Sequence, residues 1–167
     1  MIEFITVALT LMASSHNMPI YFDAQQREIG REIISEAHKL GEDPYTLMAI
    51  AWQETRIRRG QTSKTGDVGI FQINWRFWGK KIWQYKSYRQ FVKDMDNTEH
   101  GTLAAVMVLR EMRLYKTCVG INLYACYNGG PSWVKSKNID KIATYARRVH
   151  HKRQRFIRKH KSWAKKP

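Results

Sequence analysis

The residues of this chain that could do chemistry gather between Asp43 and Asn74, in the stretch DPYTLMAIAWQETRIRRGQTSKTGDVGIFQIN. Asp43 reads as an N-cap and Pro44 as the first helical residue. Leu47, Ile50, Ala51 and Glu54 then fall at helical offsets of three, four and seven, so the Glu54 carboxyl points where apolar residues point. In the last turn before Gly60 it is withdrawn from water and lies at the negative end of the helix dipole, and both effects favour the protonated acid. A carboxylic acid still neutral near pH 7 is what glycosidic bond cleavage needs, because the leaving oxygen must take a proton as the bond breaks. The competing reading ties Glu54 up with an internal Arg or Lys. Asp67, directly after Gly66, is either a turn residue in a common place for aspartate or a second carboxylate for the same chemistry. The polar loop between Thr55 and Asp67 leaves the separation of the two carboxyls open.

The elements that must position these groups are legible on both sides. A capping box of Asp23 and Gln26 opens a helix with an apolar stripe at Ile29, Ile33, Ala37 and Leu40, which Gly41 stops. Residues 61–67 are polar and turn-prone, and Val68 to Asn74 suits a small hairpin or a tight irregular loop that folds back over the Glu54 helix end. Residues 75–95 carry Trp75, Phe77, Trp78, Trp83, Tyr85, Tyr88 and Phe91 among lysines and arginines. Such a run could stack sugars or bases, but most of these rings are expected to cover the core. A buried spine helix is expected from Asp96 or Asn97, carrying Leu103, Val106, Met107 and Leu114. Further on, a helix ends in Gly129-Gly130-Pro131 and leaves Tyr127 and Asn128 at its tip, where they can line a cleft. The last helix, from about Ile139, docks Ile142, Tyr145, Ala146, Val149, Phe156 and Ile157 and turns Arg147, Arg148, His150, His151, Lys152, Arg155, Arg158 and Lys159 outward.

The 167 residues suit one domain with a single core. Of the net charge of +15, residues 135–167 supply +12, thirteen Lys and Arg against Asp140 alone. A tail of that kind seeks polyanions: nucleic acid, anionic lipid or the acidic polymers of a bacterial envelope. Residues 1–19 hold an apolar run ending in small residues, like a signal peptide without a basic start, since Glu3 is its only charged side chain. Cys118 and Cys126 have no His or Cys at ligand spacing, so no metal is expected. Eight residues along one helix would hold them about 12 Å apart, and two free thiols are favoured unless Cys118 lies in the loop before the helix.

In order along the chain, Glu54-Thr55, Ser63, Gly69-Ile70-Phe71-Gln72, Cys126-Tyr127-Asn128-Gly129-Gly130 and Tyr145 resemble the catalytic domain of soluble lytic transglycosylases. The type resembled includes the small specialised members of secretion, conjugation and phage systems. The resemblance covers residues 20–150, leaving 151–167 as a basic tail that continues the last helix. It implies a mainly α, lysozyme-like fold with a small hairpin or irregular loop beside the catalytic helix. It implies cleavage of the MurNAc-β-1,4-GlcNAc bond of peptidoglycan glycan strands by a monomer, without cofactor or metal, in the cell envelope or periplasm, whether exported, virion-borne or released by lysis. By the same resemblance Glu54 is the acid and base, while Ser63, Phe71, Gln72, Tyr127, Asn128 and Tyr145 hold the glycan or orient Glu54. Thr55 keeps the hydroxyl of the family's serine, Asn74 stands where many members carry methionine, and Gly129 replaces an alanine. The run Asp67 to Asn74 also resembles the central hairpin of animal-type lysozymes, which keeps a hydrolytic mechanism with Glu54 and Asp67 in play. A third reading makes the chain a non-catalytic module whose basic tail binds the envelope or nucleic acid, against which the Glu54, Gln72 and Tyr127-Asn128 set counts. From sequence, Asp67→Asn is expected to keep substantial activity, and loss of residues 152–167 to weaken wall binding but not cleavage.

Overall fold

The computed structural model describes residues 22–79, 81 and 84–163; the signal-like run, Trp83 and the last tail residues lie outside them. Asp23 accepts the Gln26 N–H while the Gln26 side chain accepts the Asp23 N–H, and this reciprocal cap opens α1, Ala24–Lys39. Its stripe is buried at Ile29, Ile33 and Ala37, and Gly41, at φ +65°, turns the chain. Asp43 then caps Tyr45 and Thr46 at the start of α2, Pro44–Thr55. All of Thr46 to Ala51 is buried, so α2 is enclosed on every side where the sequence suggested one apolar face. It ends at Arg56, which with Ile57 takes a left-handed conformation at φ 59°.

Beyond α2 the chain forms a hairpin of two-residue strands, β1 (Asp67–Val68) and β2 (Ile73–Asn74). They pair antiparallel, with Asp67 opposite Asn74 and Val68 opposite Ile73. The link between them depends on Gly69, whose φ is +75° and where a Cβ would sit 2.0 Å from the Met95 carbonyl oxygen. A π-helical turn, Trp75–Gly79, follows, and then α3, Tyr88–Asp96, a helix the aromatic density had obscured. Most of those rings do cover the core: Trp75 meets Phe91 at 5.2 Å and Tyr88 at 5.6 Å, and Tyr85 meets Phe91 at 5.4 Å. Phe77, at 74% exposed, stands clear of the core, and Tyr88 keeps 40% of its surface exposed.

Asn97 caps α4, Thr98–Arg113, the spine helix, which packs against α1 and α3. Its buried face is Ala104, Ala105, Val106, Val108, Leu109 and Met112; Leu114, expected on that face, lies past the helix end and is 77% exposed. α5, Asn122–Gly129, begins after Cys118. Cys118 therefore sits in the preceding loop, the Cα atoms come within 5.8 Å and the two cysteines form a disulfide, correcting the preference for free thiols. The last helix, α6 (Ile139–Trp163), packs on α2 and α5 and buries Ile142, Tyr145, Ala146, Val149 and Phe156. Docking continues into the basic tail: Phe156 meets Phe22 edge-on at 6.1 Å, Lys152 Nζ lies 4.5 Å from the Trp52 ring centre, and Arg153 pairs with Asp43 at 2.6 Å. Among the described residues no helix is long and apolar enough to cross a membrane.

Candidate active site

Three elements meet around a cleft of about 540 Å³: the C-terminal end of α2 with Glu54, the hairpin with Asp67, Gln72 and Asn74, and the tip of α5 with Tyr127 and Asn128. Its far side carries Phe77, Trp78 and Lys81, with Met112 and Tyr115 from the end of the spine. The left-handed stop after Thr55 ends α2 where Glu54 reaches this space. The Thr55 hydroxyl fastens that end to the hairpin by donating to the Ile70 carbonyl at 3.0 Å. Gln26 holds the other side of the stop, donating to the Arg56 carbonyl at 2.8 Å.

Glu54 is bound by Tyr145 of α6, whose hydroxyl donates to Oε1 at 2.6 Å, and among the described residues no Arg or Lys pairs with it. Burial pushes its carboxyl up, the Tyr145 hydrogen bond pulls it down, and the negative charge of Asp67 adds to the rise, bringing it to about 7. Withdrawal from water is the stronger effect, so the acid keeps its proton to near-neutral pH. Burial and the neighbouring carboxylate of Glu54 likewise hold the phenols of Tyr127 and Tyr145 well above their ordinary range, so both stay protonated donors. Tyr127 spends its hydroxyl on the Phe71 carbonyl at 2.9 Å, locking the α5 tip to the hairpin.

Asp67 behaves in the opposite way. Burial alone would raise its carboxyl, but Ser63 and Thr65 each donate to Oδ2 at 2.6 Å and Asn74 donates to Oδ1 at 2.7 Å, and together they hold it below the usual range. The cleft thus contains one carboxyl poised to carry a proton and one that stays ionised, a division that suits acid chemistry beside a fixed negative charge.

The residues singled out from sequence separate into two groups. Glu54, Asp67, Gln72, Tyr127 and Asn128 line the cleft, and Tyr145 touches Glu54 from behind. Gln72, at φ 50°, donates to the Gly69 carbonyl at 2.9 Å, while the exposed Asn128 makes no side-chain hydrogen bond among the described residues. Ser63 is not in the cleft wall; its hydroxyl is committed to Asp67. The Phe71 ring is fully buried, and its carbonyl is the part that meets Tyr127 at the site. Sequence reasoning missed Thr65 and Tyr115, named Trp78 only within a run of rings expected mostly to cover the core, and saw in Asn74 only a missing methionine. Pairing the hairpin, with Asn74 opposite Asp67, would have found that partner. Among the described residues no three His, Cys, Asp or Glu converge as a metal site would need.

The family model for the transglycosylase SLT domain matches residues 31–147, a span that contains Glu54, Asp67, Gln72, Tyr127, Asn128 and Tyr145. No curated protein and no solved structure matches the chain.

Proposed function

From the premise that the chain belongs to the transglycosylase SLT domain family, with its lysozyme-like fold of helices and one small hairpin, we propose that it is a lytic transglycosylase that cuts the MurNAc-β-1,4-GlcNAc bond of peptidoglycan. Glu54 protonates the glycosidic oxygen as the bond to C1 of the muramoyl residue breaks. The carboxylate so formed takes the proton of that residue's own 6-hydroxyl, whose oxygen closes on C1. The products are a 1,6-anhydro end and a free 4-hydroxyl, no water is consumed, and Glu54 ends protonated as it began. Tyr145 orients the Glu54 carboxyl, while Gln72, Asn128 and the exposed ring of Phe77 offer polar and stacking contacts to the glycan.

The observation that carries this reading is a carboxylic acid in an open cleft, raised by burial to about 7. A hydrolytic alternative draws on Asp67, which shares the cleft and could activate water. The family match favours the transglycosylase. The Cys118–Cys126 disulfide suits work outside a reducing cytosol, in keeping with a substrate in the envelope or periplasm. The outward cations of α6 suit anionic envelope polymers or lipid. A non-catalytic binding module leaves unexplained why an acid of this kind faces the cleft. Clearing of purified sacculi tests the enzyme directly: Glu54→Gln, folded by circular dichroism, should lose at least about a hundredfold in rate. Lysis near the parental rate would remove Glu54 as the acid.

A further inference from the structure

We propose that Gln26, in the first turn of α1, is a positioning residue for Glu54: by holding the Arg56 carbonyl it fixes the left-handed stop of α2, and that stop sets where the acid meets the glycan. This role rests on the transglycosylase reading and belongs to a residue outside the cleft wall.

Helices that end in a left-handed residue commonly place glycine there, because a Cβ crowds the backbone in that region. Here Arg56 and Ile57 both stand at φ 59°, Ile57 is β-branched as well, and the first glycine beyond them is Gly60. Nothing in the local sequence favours two such residues in a row, so contacts from elsewhere in the fold must hold them. Their own N–H groups turn back to the Trp52 and Ala51 carbonyls, and the Ile57 side chain is fully buried. The Arg56 carbonyl lies beyond the helical ladder and accepts from Gln26 Nε2 at 2.8 Å.

Both ends of the Gln26 amide are used, in a side chain only 5% exposed: Oε1 accepts the Asp23 N–H at 3.0 Å while Nε2 reaches Arg56. The cap on α1 needs only an acceptor at this position, which a glutamate supplies equally well. The donor is the part that the cap leaves unexplained and Arg56 accounts for. Two ion pairs also join α1 to the segment after the stop, Asp23 with Arg58 at 3.0 Å and Glu32 with Arg59 at 2.7 Å. Both are partly open to water and hold weakly, so the buried amide is the firmer tie. Thr55 fastens the other side of the same turn to the Ile70 carbonyl at 3.0 Å. Glu54 immediately precedes these two anchors, and its 2.6 Å contact with the Tyr145 hydroxyl needs the last turn held in place.

Without the Gln26 donor the last turn of α2 frays, and Glu54 gains water and loses its fixed aim. The groups facing Glu54 are Tyr145 from α6, Tyr127 from α5 and Asp67 from β1; Lys81 on the cleft's far side is paired with Glu111 at 2.6 Å. Gln26 is neutral and a neutral replacement adds no charge, so a change in Glu54 ionisation reports its surroundings. Burial is the largest influence on that carboxyl and raises it, so added water lowers it. A weakened Tyr145 hydrogen bond acts the other way and is the smaller effect.

The test uses the full chain on soluble glycan strands. Gln26→Met should lower kcat about tenfold, given that a misplacement of about 1 Å can cost about a hundredfold. KM should change little, because Gln26 does not line the cleft. The alkaline activity limb should move to lower pH than the parental one near 7. Glycine takes the left-handed region without steric cost, so adding Arg56→Gly should return most of the kcat and the limb, measured against Arg56→Gly alone. A role confined to the cap of α1 would lower the melting temperature, leave the limb in place and show no such rescue. Parental kcat in Gln26→Met, a fall in kcat with the limb unmoved, or no recovery with Arg56→Gly overturns the proposal. Should Gln26→Met fail to fold, Gln26→Glu keeps the cap acceptor, is held ionised by the helix N-terminus and lacks the donor, and parental kcat there overturns it equally. Reducing ends in the parental products would bring down the transglycosylase reading but not this role, which concerns the acid. An unimpaired Gln26→Met beside an inactive Glu54→Gln would remove Gln26 alone.

Discussion

Replacing Glu54 by Gln should make the protein more stable at alkaline pH while it loses activity. In the folded chain burial, helped by the charge of Asp67 and opposed by Tyr145, holds the Glu54 proton up to about pH 7. An unfolded glutamate releases it near 4.3. Between those values the folded state binds more protons than the unfolded one, so stability falls as pH rises through the window and the loss is complete above about 7. Each tenfold change in ionisation is worth about 1.4 kcal/mol, which makes the full penalty about 4 kcal/mol. That is an upper figure, because the carboxyl is partly open to the cleft and its water. Glutamine avoids it and still accepts the Tyr145 hydroxyl. In a domain of this size the gain corresponds to a rise in Tm of roughly 5–10 °C. Thermal unfolding of parent and variant at pH 8.5 and pH 4 reads it directly: a clear gap at the higher pH that closes at the lower one. Equal melting temperatures at pH 8.5 would mean that Glu54 ionises freely, and the argument for a buried general acid would be refuted.

Tyr145→Phe removes the hydrogen bond that favours the Glu54 carboxylate, so the alkaline limb of activity should move to higher pH, while kcat falls because the acid is less well oriented. Replacing Cys118 and Cys126 by Ser opens a short loop and should cost about 2.5 kcal/mol, measurable by urea unfolding, and the parent should show no free thiol in denaturant. Truncation at residue 152 is unsuited to separating tail from cleft, because Phe156 and Arg153 are built into the packing of α6. Reversing the exposed Arg148 and Arg158 to Glu in the full chain should instead weaken binding to anionic vesicles at low salt, with the difference shrinking as salt is added and soluble glycan cleaved as before.

Helix starts were the most legible part of the chain, because caps are local: Asp23 with Gln26, Asp43 with Pro44, and Asn97 all open helices where their side-chain chemistry says they should. The Gly-Gly-Pro end of α5 and the inward row of α6 were equally plain. Helix α3 was hidden because its aromatic residues look the same whether they cover a core or stack a ligand. The disulfide depended on where α5 begins, a boundary that sequence fixes only to within a few residues. At the site, the position of Glu54 followed from helical spacing, but the role of Phe71 did not, since a motif does not say whether a ring or its carbonyl is the useful part. The clamp on Asp67 was legible only through the register of a two-residue hairpin, too short for any periodicity to announce.

The central claim is that Glu54 alone moves the protons and that the substrate's own 6-hydroxyl closes the ring. Mass spectrometry of the muropeptides released from purified sacculis by the parent chain tests it most directly, with Glu54→Gln as the blank. The account predicts fragments ending in 1,6-anhydromuramic acid, lighter by one water than hydrolytic products, and none above background from the variant. Reducing muramic acid ends from the parent would show that water attacks C1, and would contradict it.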